Sequence, residues 1–202
     1  MATAKRSTVT DALVKDHREL EAHYNEVVNS TDPDHQERYG NQFTWELARH
    51  SVAEELIIYP AFEQYLGSKG HDIAEKDRKE HHEVKEQLKK FQGLKVKDPA
   101  YIPTLKSLWA NLKQHIKEEE EEDIPQLEKV LSTEHQHTGV SESLATKFGR
   151  TKAFVPSRSH PSAGEHPPFE TVMGLLTAPI DHIADIFRKF PDKTVSPNPS
   201  TK

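Results

Sequence analysis

Two stretches of this chain place histidine and glutamate at one repeated spacing. His50 is followed by Glu54, Glu55 and Pro60, and His115 by Glu119, Glu120 and Pro125. On a helix a step of four residues rises about 6 Å and rotates about 40° beyond one full turn. Each histidine and the glutamate four residues on therefore project from one face, which lets a single helix give two ligands to a metal. Written twice, 65 residues apart, the motif points to a pseudo-twofold site for two metal ions.

The spacing alone is not selective, because His17/Glu21, His71/Glu75 and His82/Glu86 share it. Position on an apolar stripe separates the pairs. His50 and Glu54 continue the stripe of Phe43, Leu47 and Ile57, and His115 and Glu119 continue that of Leu105, Leu108 and Leu112. Two further histidines lie on such stripes: His17 with Leu13, Leu20, Tyr24 and Val27, and His81 with Val84, Leu88 and Phe91. His82 aligns with Lys85 and Glu86 and reads as surface. A buried imidazole or carboxylate must be satisfied, since an unpaired buried charge costs several kcal/mol or more. A hydrogen-bonded His–Glu pair would satisfy one helix. Four inner histidines with two glutamates at equal offsets favour metal. Glu55 and Glu120 are candidates to orient a ligand histidine, and Glu21 is a further candidate beside His17. The remaining histidines, His23, His35, His71, His135, His137, His160, His166 and His182, lie off the stripes, in turns or in a proline-rich segment, and read as solvated or structural.

Four long helical patterns must carry these residues: about Val9 to Asn29, Asp34 to Leu66, Asp72 to Gln92, and from Asp98-Pro99, or a turn later because of Pro103, to Leu131. Thr8 or Thr10, and Asp98, are the N-cap candidates, and Gly67 and Gly93 the stops. Pro60 and Pro125 each remove a backbone donor and should bend their helices at one level. The offsets from His17 to Leu20, Tyr24 and Val27 recur from His81 to Val84, Leu88 and Phe91, so two helical hairpins are related by internal repetition. The expected fold is all-α, an up-down-up-down four-helix bundle over residues 1–131. An irregular arm over 132–168 should follow, then a C-terminal amphipathic helical segment over 169–191 and a disordered tail over 192–202. The stripe of Leu176, Ile180, Ile183, Phe187 and Phe190 is expected to dock on the bundle as a fifth element, or to contact a partner.

A chain of 202 residues with 34% hydrophobic and 30% charged composition suits amphipathic helices that each hide one stripe. Net charge is -6, so no nucleic-acid footprint is expected. The absence of cysteine excludes disulfides and thiolate metal sites. The N-terminal sequence lacks the apolar core of a signal peptide and no run approaches membrane-span length, so a cytoplasmic protein without a membrane partner is expected. The Asn29-Ser30-Thr31 sequon carries little weight in that setting.

Imidazole with carboxylate suits iron, manganese or zinc. Four histidines and two glutamates are too many for one tetrahedral zinc and right for two carboxylate-bridged ions. The Glu-x-x-His signature of ferritin-like bundles is absent, since Val14, Leu47, Arg78 and Leu112 precede the inner histidines by three. The metalloprotease His-Glu-x-x-His spacing is absent too.

Over about Thr8 to Leu131 the chain resembles the hemerythrin-like (HHE cation-binding) domains. The resemblance rests on Asp16-His17-Arg18-Glu19-Leu20, on His50 with Glu54-Glu55 leading to Tyr59-Pro60, on Glu80-His81-His82-Glu83-Val84, and on His115 with Glu119-Glu120 leading to Pro125. It implies a non-haem di-iron centre in the bundle core, with His17, His50, His81 and His115 as terminal ligands, Glu54 and Glu119 as bridges, and dioxygen binding by the reduced site. Oxygen-carrying members place a fifth histidine where this chain has Asp77. Asp77 is then either a carboxylate ligand or a surface residue that leaves a coordination position open. Either departure weakens the case for a reversible carrier and favours reactivity with dioxygen, peroxide or nitric oxide, with iron storage or sensing as further roles. An enzyme on the same site would need a proton donor, for which Tyr24 and Tyr59 are the candidates. The alternative from another class is a metal-free or zinc-bound helical bundle acting as a protein-interaction module. The oligomeric state is not legible.

Overall fold

In the computed structural model residues 7–133, 135–161 and 169–192 are described, those of 169–176 by backbone alone. Four rods make the bundle. The first is α1 (Val9–Asn29), and the second is α2 (Pro33–Ala53) continued by α3 (Tyr59–Leu66). The third is α4 (Ser68–Phe91), and the fourth is α5 (Tyr101–Glu118) continued by α6 (Ile124–Thr133). Short connections run the rods up, down, up and down.

Local chemistry sets the ends. Thr8 caps α1 in a reciprocal box: its hydroxyl accepts from the Asp11 amide and the Asp11 carboxylate accepts from the Thr8 amide. Asp32 caps α2 and Pro33 opens it. Gly67, at φ 62, separates α3 from α4, which starts at Ser68, one turn before the expected Asp72. The fourth rod starts at Tyr101, because the Asp98 side chain accepts from the Lys95 amide and closes a turn instead of capping the helix.

The prolines do more than bend their rods. A widened π turn spans Glu54–Ile58 and another spans Glu119–Asp123, each closed by the amide five residues after the glutamate. In a regular α turn the ring of Pro60 or Pro125 would meet the carbonyl four residues back. The extra residue in the turn relieves that clash and rotates the following segment, so burial continues through Ile58, Tyr59 and Phe62 in one rod and Asp123, Ile124 and Leu127 in the other.

The interior has three layers. Toward the α1–α2 and α4–α5 connections, Leu20, Val27, Phe43, Leu47, Leu88, Phe91, Leu105 and Leu112 belong to one apolar cluster. Toward the other end, Val9, Leu13, Ile58, Tyr59, Phe62, Ala74, Ile124 and Leu127 belong to a second. His17, His50, Glu54, His81, His115 and Glu119, all buried, lie between them in sequence along every rod.

Beyond the bundle the structure departs from expectation. The arm read as irregular contains helix α7 (Val140–Thr151), preceded by a 3-10 turn at His135–His137. Its Leu144 and Phe148 join the second cluster, and the Ser141 hydroxyl accepts from the Val9 amide. Residues 162–168, His166 among them, and residues 193–202 of the expected tail lie outside the described residues.

The C-terminal helix α8 (Phe169–Asp185) docks by its polar side. Asp181 accepts from the Arg158 amide and from the His160 ring, Asp185 accepts from the Ser157 hydroxyl, and the His182 ring donates to the Val155 carbonyl. Ile180, Ile183 and Phe187 of the expected docking stripe are 62–85% exposed, so that stripe points outward; the Leu176 side chain lies outside the description. Phe190 turns back, edge-on to Trp45. Three carboxylate bonds to a folded loop outweigh a stripe that meets no apolar surface there. His182 is accordingly half-buried rather than solvated.

These placements predict opposite sensitivities. Gly70→Ala would put a methyl 1.9 Å from the Phe62 carbonyl oxygen and should cost more than about 2 kcal/mol in denaturant unfolding. Ile183→Ser, at an exposed position, should change stability by no more than about 0.5 kcal/mol.

Candidate metal centre

Each rod delivers one histidine to the middle layer, and the two widened turns begin at the glutamates. His17, His50 and Glu54 bring ligand-type atoms together in one group, and Glu54, His81 and His115 in a second, so Glu54 belongs to both. His50 Nε2 lies 3.0 Å from Glu54 Oε1, and His81 Nε2 lies 3.3 Å from Glu54 Oε2. Glu119 Oε2 is 3.3 Å from His17 Nε2, and the Nε2 atoms of His81 and His115 face each other at 3.1 Å. The Nε2 atoms of His17 and His50 and all four carboxylate oxygens of Glu54 and Glu119 are buried without a hydrogen-bond partner. Buried polar atoms are nearly always paired, and this set of imidazole and carboxylate donors is one that iron, manganese or zinc would satisfy.

The opposite ring nitrogens are fully engaged, and in a twofold pattern. His17 Nδ1 donates to Glu120 (2.8 Å) and His81 Nδ1 to Glu55 (3.1 Å). His50 Nδ1 donates to Asp16 (3.4 Å) and His115 Nδ1 to Glu80 (2.9 Å). Each carboxylate is backed by a cation: Arg18 on Glu120, Lys85 on Glu55, Lys152 on Asp16 and Lys76 on Glu80. Outer carboxylates of this kind fix a histidine's tautomer and ring orientation, leaving Nε2 for a metal.

Glu55 and Glu120 thus lie against the rings of His81 and His17. Asp16 and Glu80 take the same role, which the repeated His–Glu spacing does not indicate. Their signal was the acidic residue directly before His17 and before His81, which puts it beside the histidine of the neighbouring rod. Lys152 had no sequence signal, because it comes from the arm. Glu21 enters neither group; it is half-buried and lines a surface groove with Trp109 and Lys113. Tyr24 stacks on Trp109 away from the centre, whereas the Tyr59 hydroxyl lies 3.0 Å from His81 Nε2.

Asp77 is not a surface residue. It is 1% exposed and neither carboxylate oxygen has a hydrogen-bond partner. It forms a third group with Glu80 and His115. Burial, reinforced by Glu119 and Asp123, pushes its carboxyl up to about 8. His23 also departs from its solvated reading: it is fully buried, and burial draws its imidazole down to about 4, so it stays neutral. It sits three residues after Leu20 and four before Val27, on the margin of a stripe that packs more widely than its apolar residues indicate.

The charges in the layer are coupled. Burial lowers the His17 and His81 imidazoles, but the facing carboxylates of Glu119 and Glu120, and of Glu54 and Glu55, override it and hold both at about 10. Burial raises the Glu54 carboxyl, and the charge of His50 beside it reverses that, leaving it well below the usual range. Without a metal, protons on imidazoles neutralise the carboxylates.

Comparison with known proteins agrees with this geometry. The Hemerythrin HHE cation binding domain model matches residues 8–127. An uncharacterized hemerythrin-like protein of Schizosaccharomyces pombe is 51% identical over 187 residues, which cover 93% of this chain and 90% of that protein. A DNA nickase of a Nostoc species is 23% identical over 150 residues, covering 74% of this chain and 40% of that protein. No solved structure matches. With four inward histidines, a shared glutamate and that match over residues 8–127, the chain belongs to the hemerythrin HHE cation-binding family.

Proposed function

We propose that the protein is a non-haem di-iron protein that binds or reacts with dioxygen, peroxide or nitric oxide. His17 and His50 would hold one ion, His81 and His115 the other, with Glu54 and Glu119 between them and Asp77 as an added carboxylate on the second. The observation that carries this reading is the set of buried, unpartnered Nε2 and carboxylate atoms in the middle layer. Manganese or zinc would fit the same donors. A metal-free interaction module would have only ion pairs between protonated imidazoles and carboxylates, without hydrogen bonds on those atoms, at the centre of the fold.

Iron at this site supplies the ability to take up small diatomic or peroxidic ligands and exchange electrons with them. The protein's own part is to orient and to insulate. The two apolar clusters keep bulk water from the layer on both sides. The Tyr59 phenol, raised well above its ordinary range by burial and by neighbouring carboxylates, keeps its proton next to His81 and is the hydroxyl donor closest to hand. Asp77 holds its proton near neutral pH, and a cation that displaced it would gain a carboxylate on the His81–His115 side, whereas the matching residue before His17 is Leu13. This favours a more oxidised metal there and sets the centre apart from a reversible carrier.

The nicking activity named for the Nostoc relative is not assigned to this chain. The match covers 40% of that protein, and a net charge of -6 offers no general attraction for a phosphate backbone. Among the described residues no helix is long and apolar enough to cross a membrane.

Loading the purified protein anaerobically with ferrous iron should give about two irons per chain, as two ligand groups require. Air should then produce near-ultraviolet absorption. His50→Ala or His115→Ala should each remove about one iron, whereas Glu54→Gln, at the residue common to both groups, should impair both. Wild-type protein that takes up no iron would end this reading.

Protons and metal compete for the layer. Because His17 and His81 are raised to about 10, their contribution to metal-free stability is complete below the unfolded imidazole value near 6.5. It is lost as the pH climbs toward 10. The melting temperature of metal-free protein should fall over that window, while iron affinity rises and uptake at neutral pH releases protons. Calorimetry in two buffers of different ionisation enthalpy measures the release. Uptake without proton release would contradict the charge arrangement.

A further inference from the structure

Three of the four carboxylates that hold a histidine take their cation from the bundle itself. Arg18 follows His17, Lys85 lies on α4, and Lys76 is the i−4 neighbour of Glu80. The fourth, Asp16, takes Lys152, which caps the C-terminus of α7 outside residues 8–127 matched by the family. Lys152 is 9% exposed, and its Nζ pairs with Asp16 and also lies 3.4 Å from Glu46 Oε2. Its carbonyl accepts from Arg49 Nε at 2.5 Å, and that guanidinium lies 3.6 Å over the Trp45 ring. One turn earlier Phe148 sets its ring perpendicular to that of His50, with centroids 5.8 Å apart.

We propose that Lys152 is a positioning residue for the cation centre, acting on His50 through Asp16, and that α7 is a working part of that centre. The proposal rests on the reading of His50 as a ligand. Asp16 has two partners, His50 and Lys152, in a side chain only 12% exposed. Removing the ammonium leaves a nearly buried carboxylate with the imidazole alone, at 3.4 Å. The carboxylate then gains by turning to water, and His50 loses the acceptor that aims its Nε2 at Glu54. Phe148 limits ring tilt but offers no acceptor, so it cannot replace Asp16. Losing an outer partner of a ligand histidine commonly weakens metal binding 10–100-fold. Lys152 acts one group further out, which places its effect at about tenfold.

The test uses full-length wild-type protein, Lys152→Met, Lys152→Arg and, as a control, Lys147→Met, which removes an exposed lysine from the same helix. Each is loaded anaerobically with ferrous iron alone and titrated with a chelator of known affinity. Wild type should release iron in two steps. Lys152→Met should move one step by about tenfold and leave the other in place. Lys152→Arg and Lys147→Met should keep both. A lowered melting temperature with both steps unmoved would make Lys152 a plain anchor for α7 and overturn the proposal, as would an equal shift of both steps. Wild type that binds no iron removes the proposed function as well, so the two failures are distinguishable. Should Lys152→Met not fold, wild type alone decides by hydrogen exchange. Coupling is reciprocal, so iron must slow exchange of the α7 amides, and unchanged exchange there overturns the proposal.

Discussion

A sheet of charge across the middle of an apolar bundle is the constraint on which this structure turns. Buried imidazoles and carboxylates are costly unless each polar atom has a partner. The fold supplies partners on the outer side of every ring, and on the inner side it leaves Nε2 of His17 and His50 and the oxygens of Glu54 and Glu119 without a hydrogen bond. Four repeated units of cation, carboxylate and histidine surround these atoms. The apolar clusters above and below prevent water from filling the remaining demand, which is what gives the layer its need for cations.

The widened turns follow from the same constraint. Each begins at the glutamate four residues after a histidine and ends ahead of a proline. π turns are uncommon and concentrate at functional sites. Here they solve a phasing problem. A rod must present histidine and glutamate to the layer and then return large apolar residues to the core. The extra residue lets Glu54 and Glu55 both be buried, one toward the centre and one toward His81, before Tyr59 and Phe62 resume the packing.

The internal twofold is close but not complete, and the breaks are informative. Leu13 corresponds to Asp77, Ile124 to Tyr59, and Ile58 to Asp123. Polar replacements thus come from several rods at one level next to the layer. The supports also differ. Glu80 is held by the half-exposed Lys76 of its own helix, whereas Asp16 depends on Lys152 from beyond the bundle. Two ligand sets with the same histidine chemistry therefore sit in unequal surroundings.

Repetition and stripe position made most of this legible in the chain. The offsets from His17 and His81, and from His50 and His115, identified four rods, the residues that face inward and the choice of His81 over His82. Such facts are local, because a helix fixes which residues share a face. Contacts made across long sequence separations were not legible. The pairing of Asp16 with His50 and of Glu80 with His115 depends on how neighbouring rods are rotated. The burial of Asp77 and His23 depends on what packs against α4 and α1. The order of α7, and the outward stripe of α8, depend on surfaces that exist only once the bundle has formed. Periodicity determined which side chains would share a face; only packing between elements decided which of them would meet.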